Sequence, residues 1–120
     1  MDKYSNPESK KSNGKSVHSG HRERLKNQFL KNGLDSFEPH TVLEMLLFYA
    51  IPLKDTNPVA HDLLQKFGSL SGVFDAPIEE LVQVSGIGKS AAVLLKLVPQ
   101  LSRRYQEDLD RDKTVIYSYD

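Results

Sequence analysis

Leu81-Val82-Gln83-Val84-Ser85-Gly86-Ile87-Gly88-Lys89-Ser90-Ala91-Ala92 is the stretch on which the fold turns. Apolar Leu81 and Val84 precede a glycine pair, and small Ala91 and Ala92 open a long helical pattern after it. Two helices joined by so short a turn make a helix-hairpin-helix, and its second helix begins with backbone N–H groups that lack intrahelical acceptors and with the positive end of its dipole. A phosphate oxygen suits both features. Gly86 and Gly88 are expected to take backbone angles closed to other residues and to remove side chains that would hold a phosphate off the amides. Ile87 anchors the turn, Lys89 adds a charge-assisted contact, and the Ser90 hydroxyl supplies a further donor. Contacts of this kind position a nucleic acid without reading its bases. A lone Gly-x-Gly also occurs in plain helix–helix connections. Here, however, Leu81 to Gln106 holds Lys89, Lys96, Arg103 and Arg104 and no acidic residue.

Outward from the hairpin the periodicity is helical throughout. After Gly88 the pattern predicts a helix to about Leu109, bent at Pro99, with Ala91, Leu94, Val98, Leu101 and Tyr105 on a packing face and Lys89, Lys96 and Arg103 opposite. Upstream, Ala76-Pro77 opens a short helix through Ile78, Leu81 and Val82, and a turn of helix covers Leu70 to Phe74. Asn57 reads as an N-cap before Pro58, for a helix that ends at Gly68. Thr41 to Ala50 is apolar nearly all round and reads as the buried central helix. The first helix starts near His21, carries Leu25, Phe29 and Leu30, and stops at Asn32-Gly33. The expected fold is therefore all-α, a compact bundle of about five to six short helices of helix-hairpin-helix (SAM-like) type.

Residues 1–17 are Ser, Asn, Lys, Gly, Pro and Glu in the main and read as a disordered tail, because they cannot bury enough apolar surface to offset ordering. The helical domain is expected over residues 18–109. Residues 110–120 read as a linker or the start of a further C-terminal domain, with Thr114 to Tyr119 resembling an unpaired strand.

With 120 residues the chain bounds one modest core. Neither a membrane span nor a secretory leader is visible, and there is no cysteine, a composition that fits a cytoplasmic setting. Net charge is zero but segregated. Residues 1–37 carry eight Lys/Arg against four Asp/Glu, and residues 38–120 carry eight against twelve. A neutral total argues against a strongly basic nucleic-acid binder, so the case rests on the local acid-free stretch.

The connector Ile51-Pro52-Leu53-Lys54-Asp55-Thr56-Asn57 also joins two helices and reads as a degenerate counterpart of the hairpin without its glycine pair. Lys54 is the weak candidate for a second phosphate contact there, as Lys96 and Arg103 are along the last helix. His18 and His21 lack a carboxylate partner at ligand spacing and read as solvated, and His40 and His61 read as ordinary helix residues. No nucleophile, base and orienting group form a recognisable set, so neither enzymatic activity nor a cofactor or metal is expected of this chain.

Several blocks together are familiar: Gly20-His21-Arg22-Glu23-Arg24-Leu25, Gly33-Leu34-Asp35, Leu46-Leu47-Phe48-Tyr49-Ala50-Ile51-Pro52, Asp55-Thr56, Phe67-Gly68-Ser69-Leu70, Phe74-Asp75-Ala76 and Gly86-Ile87-Gly88 with Lys96-Leu97. As a set they resemble the N-terminal domain of the bacterial RadC family (UPF0758 type), over about residues 18 to 106. The resemblance implies a helix-hairpin-helix domain followed by a metal-dependent, deubiquitinase-like domain, in proteins historically labelled as DNA repair factors. The His-x-His ligand pattern of that second domain occurs nowhere in this sequence, so no hydrolase activity carries over. Ser85 stands where many hairpins of this kind have proline. Two expectations follow: a DNA-binding module that grips the phosphate backbone, or a protein-interaction adaptor in which the hairpin is purely structural and the partner is another protein or the further C-terminal domain.

Overall fold

The computed structural model describes the backbone of residues 14–118 and the side chains of residues 19–112. Among the described residues every regular element is helical: α1 (Gly14–Asn32), a 3-10 turn (Leu34–Ser36), α2 (Pro39–Leu47), α3 (Asn57–Phe67), α4 (Leu70–Asp75), α5 (Ile78–Leu81) and α6 (Lys89–Ser118). The all-α expectation holds. No described helix is long and apolar enough to cross a membrane.

Local chemistry sets most of the boundaries. Pro39 occupies the first turn of α2, where the missing N–H costs nothing. The α3 N-cap is Thr56 rather than Asn57, which is instead the first helical residue. The Ser69 Oγ accepts the Gly72 N–H at 3.0 Å and starts α4. Helix α2 ends at Leu47, short of the expected Ala50, because the chain tightens into a turn in which the N–H groups of Ala50 and Ile51 both donate to the Leu47 carbonyl.

One core joins α2 to α6. Leu43 and Leu47 of α2 pack with Ala60 and Leu63 of α3, Val73 of α4, Leu81 of α5, and Ala91, Ala92 and Leu95 of α6. Alanine at the start of α6 brings its backbone close to the core, which seats the hairpin firmly on the body.

Four further expectations need correction. Helix α1 begins at Gly14, inside the segment read as a tail, since an existing helix adds residues at little cost; residues 1–13 lie outside the described residues. Phe29 and Leu30 are exposed, leaving Leu25 as the buried apolar residue described on α1. Helix α6 continues through Ser118 where a strand was expected from Thr114, and Tyr119 lies outside the described residues. A solitary strand cannot pair its backbone, whereas a helix pairs its own. Leu101 and Tyr105 are 68% and 64% exposed, so the predicted packing face is covered only as far as about Pro99.

Candidate nucleic-acid interface

The hairpin is pinned from beneath and open above. Ile87 is 4% exposed within the core, and its N–H donates to the Val84 carbonyl at 3.0 Å. Gly86 has φ +94°, and a Cβ there would lie 2.9 Å from Val59 Cγ2, so both backbone angle and close packing require glycine. Gly88 differs from expectation: its φ lies outside the left-handed region, and a Cβ would meet nothing within 4 Å. Its missing side chain serves openness rather than the turn.

Helix α6 then starts at once, with the Ala92 N–H donating to the Gly88 carbonyl at 3.0 Å. The amides of Gly88, Lys89 and Ser90 precede any possible intrahelical acceptor, at the positive end of a 30-residue helix. Lys89 and Ser90 are exposed beside them.

Residues 50–54 of the first connector face this helix start across an open cleft of ≈ 400 Å³, lined on the far side by Gly86 and by Gly88 to Ala91. Ala50, Ile51, Pro52 and Leu53 make one wall apolar, Lys54 adds a cation at its edge, and no carboxylate is among the lining residues. The structure thus gathers Gly86, Gly88, Lys89, Ser90 and Lys54 at one cleft, with Ile87 beneath. It does not bring Lys96 or Arg103 there. Lys96 is half-buried, its Nζ donating to the Phe74 carbonyl at 3.0 Å, and Arg103 lies out along α6 with its Nε 4.0 Å from Glu107 Oε2.

Sequence reasoning missed the polar cluster behind the first wall. The Arg22 guanidinium donates to the carbonyls of Phe48 (3.3 Å), Ile51 (2.7 Å) and Lys54 (2.6 Å), with its Cζ 4.7 Å from the Phe48 ring centroid. His21, read as solvated, places Nε2 2.7 Å from Oε2 of Glu44, a carboxylate only 3% exposed. Asn57 Nδ2 donates to Glu44 Oε1 at 3.4 Å, and the buried Thr56 hydroxyl donates to the Glu44 carbonyl at 3.1 Å. His40 and His61, from α2 and α3, stack with ring centroids 4.4 Å apart. The block Gly20 to Leu25 was the signal for Arg22, but periodicity does not say which carbonyls a guanidinium reaches.

No family model and no solved structure matches the chain. Over 97 residues it is 44% identical to UPF0758 protein FN0909 of Fusobacterium nucleatum, an alignment that covers 80% of this chain and 42% of that relative. The chain therefore spans less than half the length of the curated relative it matches. An identity of that size across four-fifths of the chain, in keeping with the blocks from Gly20 to Leu97, makes the chain similar to part of a UPF0758 protein, the family that carries the RadC name.

Proposed function

We propose that this chain is a cytoplasmic nucleic-acid-binding module that grips DNA through phosphates, without sequence readout, and serves the DNA-repair setting that the RadC resemblance implies. The observation that carries this reading is the cleft itself. A helix start with free amides, Lys89 and Ser90 stands opposite a wall edged by Lys54, and no acid lines the space between. The reading assigns no reaction to this chain.

Fluorescence anisotropy with single-stranded, duplex and branched DNA at two salt concentrations tests it. Affinity should be indifferent to base sequence and fall steeply with salt. Lys89→Ala should lower the magnitude of the salt slope by about 0.9 on duplex or about 0.7 on single strands, one phosphate's share. A folded Lys89→Ala variant with unchanged affinity and slope would make the hairpin structural.

A second reading, a protein-interaction adaptor, is favoured by one observation. Val93, Leu97, Leu101, Tyr105 and Leu109 recur at every fourth position of α6 and are exposed. Association through that ridge would bury apolar surface and respond little to salt, opposite to phosphate binding.

A further inference from the structure

Residues 51–55 lie between α2 and α3 without regular structure, so their carbonyls meet no helix or sheet donors. They are not left to water alone. The Ile51 and Lys54 carbonyls, three residues apart in the connector, converge with the Phe48 carbonyl on the single guanidinium of Arg22. A planar, permanently charged fork with five N–H donors can hold several acceptors in one fixed arrangement, as an ammonium cannot. Its face also lies over the Phe48 ring, which fixes the plane of the fork.

Arg22 belongs to α1, and the attachment of α1 to the body is chiefly polar. Leu25 is its buried apolar side chain among the described residues. Beside it stand the His21–Glu44 contact, the Arg22 fork, and Lys26 with its Nζ 5.9 Å from the Tyr49 ring centroid. Arg22 and Lys26 reach residues 48–54, the end of α2 and the wall of the cleft that carries Leu53 and Lys54. The opposite wall is seated on the core through Ile87, Ala91 and Ala92 and needs no such strap.

We propose that Arg22 is a positioning residue for the cleft: by gathering the Phe48, Ile51 and Lys54 carbonyls it straps the first wall to α1, so that docking of α1 governs whether the two walls face each other. Its effect on ligand binding rests on the function proposed above; its effect on the wall does not. Arg22 acts through the connector and not by touching the nucleic acid.

The test uses the full chain, because the Lys54 carbonyl that Arg22 holds belongs to a bond that trypsin cleaves. Under native conditions Arg22→Ala should speed cleavage after Lys54 roughly ten-fold, with rates after Lys66 and Lys89 unchanged, as expected for local rather than global opening. Arg22→Lys should fall between that variant and the unaltered chain, and exposed Arg24→Ala should match the unaltered chain. Equal rates after Lys54 in Arg22→Ala and the unaltered chain would overturn the idea. So would an acceleration shared by Lys66 and Lys89, which would make Arg22 a support of the whole fold. In DNA titrations Arg22→Ala should weaken binding roughly five-fold, and the Arg22→Ala, Lys54→Ala double variant should be no weaker than the worse single one. Fully additive effects would mean that Arg22 does not act through the connector. If the unaltered chain binds no DNA, the proposed function fails and the tryptic comparison alone decides the role of Arg22.

Discussion

At the scale of single residues, the two hairpin glycines do different work, and the difference makes them useful probes. Gly86→Ala forces a Cβ against Val59 at a positive φ and should cost about 1–2 kcal/mol in urea unfolding. Gly88→Ala meets no such obstacle. It should unfold within about 0.5 kcal/mol of the unaltered chain while weakening nucleic-acid binding for every sequence alike, as measured by anisotropy. A Gly88 variant that loses stability yet binds normally would reverse these assignments. Glu44 presents a related case, since its carboxylate is buried and depends on donors from neighbouring elements. His21→Ala removes one of these and should destabilise by about 1–3 kcal/mol in the same unfolding measurement, because an under-partnered carboxylate stays buried.

Among the elements, α6 shows how one helix can have two energetic halves. Leu95 is fully buried in the core, and Leu95→Ala should cost about 2–5 kcal/mol. Leu101→Ala and Tyr105→Ala, a few turns on, should change unfolding free energy by no more than about 0.5 kcal/mol. Thermal melts of the three variants check the contrast, and a large loss at Leu101 would show that its surface is covered in solution. The outer half keeps its helix through local pairs instead: Arg103 and Arg104 lie 4.0 and 3.9 Å from Glu107, and Arg111 lies 3.4 Å from Asp108. The same apolar period thus runs through a packed half and an exposed half, and nothing in the period itself distinguishes them.

For the whole molecule, charge placement outweighs charge total. A net charge of zero gives no general attraction to DNA, so binding should come from the few groups at the cleft. On duplex the salt slope should then be about −2 to −3, the share of two or three phosphates. Arg103→Ala should leave it nearly unchanged, since Arg103 stands about 20 Å along the helix from Lys89 at 1.5 Å per residue. A much steeper slope, or a strong effect of Arg103, would mean that DNA follows α6 instead of resting in the cleft.

The helical class, the order of the helices and the hairpin from Leu81 to Ala92 were legible in the sequence. Each depends on near-neighbour physics: apolar spacing, proline and glycine at helix ends, and small residues where a helix meets a core. Gly86 and Ile87 could be placed in a tight, anchored turn on the same grounds. Other features were decided by tertiary packing, because they depend on residues far apart in the chain meeting in space. Lys54 joins Lys89 across the cleft only because α2 and α3 carry their connector to the start of α6. Arg22 reaches Lys54, and His21 reaches Glu44, across 32 and 23 positions of sequence. Leu101 looks as apolar as Leu95 in the sequence, but whether a helix face is covered depends on what folds against it, and only Leu95 meets the core.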